Sequence, residues 1–164
     1  MVLCYLGLGS NLGDRAGSIG RATACLAACG GVVLRKVSGL YITKPWGRLD
    51  QPDFVNAAVE VETHGSARDL LDAAQAVERG LGRVERGKWG PREIDIDILL
   101  FGNEVVEEGD LVIPHPMLCE RAFVLVPLLE IAPDLVHPRT GIRVEAYLRE
   151  IEKGGHPSWT GPTM

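Results

Sequence analysis

Five residues constrain the fold more than any others in the chain: Ile94-Asp95-Ile96-Asp97-Ile98. A period of two sends alternate side chains to opposite faces of a strand, so three isoleucines share one face and two carboxylates the other. The isoleucines require a core beneath them. The carboxylates, with Cα atoms about 6.6 Å apart along the strand, repel each other. Two hard cations roughly 3.5–4 Å apart, bridged by such carboxylates, would remove that repulsion and create a site for in-line phosphoryl transfer. A solvated outer face is the competing reading of an isolated Asp-x-Asp.

The elements around this strand, Glu93 to Phe101, follow from periodicity. Val2 to Leu8 reads as a buried strand closed by glycines. Ile19, Ala22, Leu26 and Cys29 recur at helical spacing before a Gly30-Gly31 stop. Val32 to Thr43 is rich in β-branched residues and reads as one strand. Phe54 to Thr63 alternates, with Val55, Ala57, Val59 and Val61 on one face. Ser66 and Asp69 form a capping box ahead of a helix carrying Leu70, Leu71, Ala74, Val77 and Leu81. A short strand is expected near Leu111 to Ile113, and a helix over Met117 to Ile131 that Pro127 must start, kink or interrupt. The order βαββαβ plus a helical extension predicts an α+β, ferredoxin-like sandwich with helices packed on an antiparallel sheet.

The chain's 164 residues fit one domain, 1–164, with a mobile tail over about 154–164. No apolar run approaches the roughly 20 residues of a membrane helix. Met1 to Ser10 lacks the basic start of a signal peptide, so a cytoplasmic protein is expected. The four cysteines form no Cys-x-x-Cys pair. A net charge of −5 argues against broad binding to nucleic acid or anionic membrane. An anionic ligand must therefore meet a local basic cluster.

That cluster immediately precedes the carboxylates. Gly82 to Arg92 carries Arg83, Arg86, Lys88 and Arg92 against Glu85, a net +3 in an acidic protein. Guanidinium groups grip phosphate at two points, Trp89 offers a stacking face, and the glycines let the loop close. Gly7-Leu8-Gly9-Ser10-Asn11-Leu12-Gly13 lacks the third glycine of a dinucleotide fingerprint, and Gly87-Lys88 is followed by tryptophan, so neither a Rossmann nor a Walker A site is expected.

Together, Gly9-Ser10-Asn11-Leu12-Gly13, Asp50-Gln51-Pro52-Asp53-Phe54 with Asn56, Gly82-Arg83-Val84, Trp89-Gly90-Pro91-Arg92, Asp95-Ile96-Asp97-Ile98 and Ile113-Pro114-His115-Pro116 resemble the 6-hydroxymethyl-7,8-dihydropterin pyrophosphokinase family of folate biosynthesis. The similarity runs from about Tyr5 to Pro138. It implies a monomeric ferredoxin-like enzyme that transfers diphosphate from Mg-ATP to the pterin hydroxymethyl oxygen, releasing AMP. Asp95 and Asp97 would hold two Mg²⁺ ions, with Arg83 and Arg92 completing the catalytic set. ATP would be met by Gln75, Glu78, Arg83, Lys88, Trp89, Arg92, Ile98, His115 and Arg121. The phosphate role of Arg86 stays open. The pterin would lie between Phe54 and Phe123, read at its edge by Asn56 and the backbone of Thr43 and Trp46, with Pro45 and Asp95 alongside. Two other readings differ in outcome: a nucleotidyltransferase using Gly9-Ser10 with the aspartates, though 85 positions separate Ser10 from Asp95, and a catalytically silent nucleotide-binding module on the same fold.

Overall fold

In the computed structural model, which describes residues 1–154 and 159–162, the isoleucine alternation becomes β5 (Asp95–Phe101). Ile94, Ile96 and Ile98 are buried in the core. β5 lies antiparallel to β1 (Val2–Ser10), whose other edge pairs antiparallel with β4 (Phe54–Thr63). Tyr5 pairs with Leu100 and Leu6 with Ile98, so Leu99 is the extra residue of a bulge. Bulges bend a strand and re-aim its side chains, and this one lies two residues beyond Asp97.

The stretch Val32 to Thr43 is not one strand. It splits into β2 (Val32–Val37) and β3 (Tyr41–Thr43), both paired with β4. Ser38 causes the break: its hydroxyl accepts the Ala58 amide in place of a backbone carbonyl. The Gly39 amide then turns away to the carboxylate of Glu130. The sheet order β5-β1-β4, followed by β3 with β2 beside it on β4, is that of a ferredoxin-like sandwich with a divided second strand.

Helices cover both faces. α1 (Arg15–Ala28) starts earlier than its apolar spacing suggests, because Asp14 caps it by accepting from the Gly17 amide. α2 (Ala67–Gly80) carries the reciprocal Ser66–Asp69 cap. Both helices pack on the Val55, Ala57, Val59 and Val61 face. Tyr5, Ala58, Leu99 and Leu100 form a second core with α3 (Ala122–Ile131) and α4 (Val144–Lys153).

The helix expected over Met117 to Ile131 is two pieces, a 3₁₀ turn at Leu118–Glu120 and then α3, with Arg121 extended between them. Pro127 sits inside α3, leaving the Phe123 carbonyl without its helical donor. β7 (Leu111–Ile113) pairs with β6 (Val106–Glu108), a strand the sequence reading missed, across a turn at Gly109. Within the expected tail, β8 (Trp159–Pro162) pairs with β3. The rest of the expected mobile segment beyond Gly154 lies outside the described residues. No helix among the described residues is long and apolar enough to cross a membrane.

Candidate active site

Antiparallel pairing sets Gly9 between Asn56 and Asp95, and Gly7 between Ala58 and Asp97, at one end of the sheet. The two glycines keep the floor open. A Cβ on Gly9 would lie 3.0 Å from Asn56 Oδ1, and one on Gly7 would lie 3.4 Å from Leu99 Cδ2. Above this floor opens a cleft of about 730 Å³, counted to its open mouth. Its walls are Thr43, Lys44 and Trp46, Phe54, Trp89 with Arg92, and Arg121 with Phe123 at the start of α3.

The two carboxylates have different surroundings. Asp95 accepts from Arg83 at 2.9 Å and pairs with Arg92 at 3.0 Å. Arg83 is itself anchored by Glu78 at 2.6 Å, and the same Glu78 oxygen accepts the Ile96 amide at 2.7 Å. Burial pushes the Glu78 carboxyl up, while the Ile96 amide and the Arg83 charge oppose that shift. Glu78 thus fastens α2 and Arg83 to β5.

Asp97 has no such clamp. Burial and then the charge of Asp95 push its carboxyl well above the usual range, against the pull of Arg121 and Arg92. His115 Nε2 lies 3.8 Å from its Oδ2. His115 Nδ1 accepts the Met117 amide at 3.1 Å, which places the ring proton on Nε2, the atom nearest Asp97. Burial and then Arg121 push this imidazole down to about 4, so it is neutral at pH 7.

Of the cations lining the cleft, Arg121 is the one without a carboxylate ion pair among the described residues. Burial lowers its pKa, its Nε is buried without a partner, and its bond to protein is to the Met117 sulfur at 3.0 Å. It stacks 4.8 Å from the Trp46 ring and 5.7 Å from the Phe123 ring. A cleft floor with two adjacent carboxylates, one held high by burial and by the charge of the other, fits Mg²⁺. Mg²⁺ commonly takes one or two carboxylates and draws its other ligands from water and substrate phosphates. Among the described residues no group of three or more acidic, histidine or cysteine side chains is placed to hold a metal ion.

Two loops form the rim, and a buried asparagine joins them. Asn11 Nδ2 donates to Gln51 Oε1 at 2.9 Å and to the Pro52 carbonyl at 3.0 Å. Its Oδ1 accepts the Arg92 amide at 2.9 Å. Gln51 Nε2 in turn donates to the Trp89 carbonyl at 2.8 Å. The Trp46 and Trp89 rings meet edge to face at 5.5 Å, over Gly47, where a Cβ would lie 2.7 Å from the Trp89 ring.

Most of the residues singled out in the sequence converge here. Thr43, Trp46, Phe54, Asn56, Trp89, Arg92, Asp95, Asp97, Arg121 and Phe123 line the cleft. Arg83, Glu78 and His115 stand behind the aspartates. Thr43 contributes its side chain as well as its backbone, since its hydroxyl accepts from Asn56 Nδ2 at 2.6 Å. Others fall elsewhere. The Ile98 side chain is buried in the α1–α2 core, on the face opposite the carboxylates, because the alternation that aims Asp97 outward aims Ile98 inward. Lys88 lies 4.6 Å over the Trp89 ring and does not line the cleft. Pro45 is buried beside the rim and Gln75 is half-buried on α2. The sequence reading missed the roles of Asn11 and Gln51. The available signal was a polar residue at the end of a buried strand, inside the quoted Gly9 to Gly13 run.

The sequence matches the family described as 7,8-dihydro-6-hydroxymethylpterin-pyrophosphokinase over residues 5–133. A 2-amino-4-hydroxy-6-hydroxymethyldihydropteridine pyrophosphokinase from Methylorubrum extorquens is 49% identical over 136 residues, covering 83% of this chain and 86% of the relative. Its counterpart from Bacillus subtilis is 42% identical over 157 residues, 96% of this chain and 90% of the relative. Among solved structures, an HPPK-DHPS chain in complex with substrates superposes with a TM-score of 0.73 at 14% identity, covering 93% of this chain and 44% of that one. The Plasmodium falciparum HPPK-DHPS with pteroate gives 0.72 at 16% identity, covering 91% and 42%. This chain spans less than half of those two, and the likeness to them is one of fold.

Proposed function

The chain belongs to the 7,8-dihydro-6-hydroxymethylpterin-pyrophosphokinase family, and from that premise we propose how its cleft serves the two substrates. The reaction is the pyrophosphokinase step of folate biosynthesis, with ATP as the co-substrate. The pterin hydroxymethyl oxygen bonds to the β-phosphorus, the bond from that phosphorus to the α,β-bridging oxygen breaks, and AMP departs with that oxygen.

The observation that carries the reading is that Asp95 and Asp97 share one cleft with the rings of Phe54 and Phe123 and with the guanidinium groups of Arg92 and Arg121. The flat pterin lies between Phe54 and Phe123 with Asn56 at its edge, because a heteroaromatic ring needs faces to stack on and fixed polar groups at its rim. The triphosphate lies towards Arg92 and Arg121, whose charges balance what builds up on the leaving oxygen. Arg83 and Glu78 hold Asp95 in place. Asp95 and Asp97 would hold two Mg²⁺ ions. When bound, Mg²⁺ neutralises phosphate charge and acidifies the attacking alcohol. The Trp46 and Trp89 loops close over both substrates and exclude water.

No protein nucleophile is required. Ser10, the candidate of the nucleotidyltransferase reading, is wholly buried and points to the opposite face from Gly9 and Asp95, which disfavours that alternative. The reading takes the protein as a monomer with a single pyrophosphokinase domain over 1–164. A cytoplasmic location accords with its small-molecule substrates. Phe123→Ala tests the division of the cleft. The Michaelis constant for the pterin should rise by about tenfold or more, with that for ATP changed far less. An equal rise for both substrates would count against it.

A further inference from the structure

One guanidinium of the Gly82–Arg92 loop has no part in that chemistry. Arg86 donates through Nη2 to Glu93 Oε1 at 2.6 Å and through Nη1 to Oε2 at 2.9 Å, a two-point pair. Glu93 Oε2 also accepts the Val84 amide at 3.2 Å. The carboxylate therefore ties the outgoing limb of the loop to its return. Glu93 is well placed for this, because its neighbours are fixed: Ile94 is fully buried, and the Arg92 backbone is bonded to Asn11 in both directions.

Between the tied limbs, residues 87–91 form a small closed turn. Gly87 has φ 85, the Gly90 amide donates to the Gly87 carbonyl at 3.2 Å, and a Cβ on Gly90 would lie 2.7 Å from the Arg86 carbonyl oxygen. Trp89 is carried in this turn. A lone exposed ion pair contributes little, but a two-point arginine–carboxylate pair that also takes a backbone amide defines a geometry.

We propose that Glu93 is a positioning residue that clasps Arg86, closing the base of the loop so that only residues 87–91 act as the lid over the nucleotide. This rests on the reading of the cleft as the ATP and pterin site. The basic residues of the loop then divide by task. Arg83 and Arg92 serve Asp95 and the phosphates, while Arg86, with both terminal nitrogens committed to Glu93, is withheld from phosphate and holds the loop's frame. The tip swings as a short unit on a fixed base, so less chain must be ordered when ATP binds.

The test compares Glu93→Gln, Arg86→Gln and the double variant with the unmodified chain, whose conversion of ATP and 6-hydroxymethyl-7,8-dihydropterin to AMP and pterin diphosphate is measured first. Failure of that first assay rejects the functional reading; a null result confined to the variants rejects only the clasp. Each single variant should raise the Michaelis constant for ATP about fivefold while kcat changes by less than about twofold. The double variant should be no worse than either single one, as for two halves of one interaction. Backbone amides 83–86 should exchange hydrogen faster in all three. Multiplicative single effects, wild-type exchange at 83–86, or an Arg86→Gln defect more than about tenfold beyond that of Glu93→Gln would each overturn the proposal. The last of these would assign Arg86 to the phosphates directly.

Discussion

Asp95 and Asp97 are chemically identical neighbours on one strand face, yet asparagine should affect them in opposite directions. Asp95 has a guanidinium on each oxygen, so Asp95→Asn leaves Arg83 and Arg92 facing an amide and should destabilise the protein by about 1–3 kcal/mol. Asp97 is pushed up by burial and then by the charge of Asp95, more than Arg121 and Arg92 pull it down, so Asp97→Asn relieves the cost of holding a carboxyl there. In EDTA it should raise Tm by about 2–4 °C. Both variants should lose at least about a hundredfold in turnover, since each removes a proposed ligand for the cations that would serve the phosphates. Thermal scans beside a product assay check this; Tm shifts of the same sign, or near-native turnover in either variant, would contradict it. The pair itself was legible because a spacing of two is a local property of a strand. The difference between its members was not, because Glu78 and His115 reach the aspartates from other elements.

Elements followed the same division between local and distant causes. The α2 cap could be read from Ser66 and Asp69 because both partners lie within one turn. The break between β2 and β3 could not, since it depends on Ser38 meeting Ala58 and on Gly39 meeting Glu130 of α3. The joining of the rim loops was hidden for the same reason: Asn11 bonds partners 40, 41 and 81 positions away. If that asparagine couples the loops, Asn11→Ala should lower kcat/KM by about tenfold to a hundredfold, through loop positions and with the carboxylates left in place. The change in Trp89 fluorescence on titration with a non-hydrolysable ATP analogue should shrink with it, read in a background with Trp46 and Trp159 changed to Phe. A wild-type Trp89 response in Asn11→Ala would show that the loops close independently.

Across the whole molecule, the sheet order brings the ends of β1, β4 and β5 together, and the covering of both faces makes that end the place where polar side chains can gather. The order of the central elements was readable because β1, α1, β4, α2 and β5 each advertised their own period. The far wall of the cleft was harder, because Arg121 and Phe123 owe their positions to a helix that starts at Ala122, five residues later than its apolar run suggests. The central claim is that this end of the sheet transfers a whole diphosphate with the help of cations on Asp95 and Asp97. Phosphorus NMR of the chain with ATP, 6-hydroxymethyl-7,8-dihydropterin and Mg²⁺ tests it most directly. AMP and a pterin diphosphate should appear together in equal amounts and fail to appear in EDTA; ADP or free pyrophosphate as the primary product, or undiminished transfer without the metal, would contradict it.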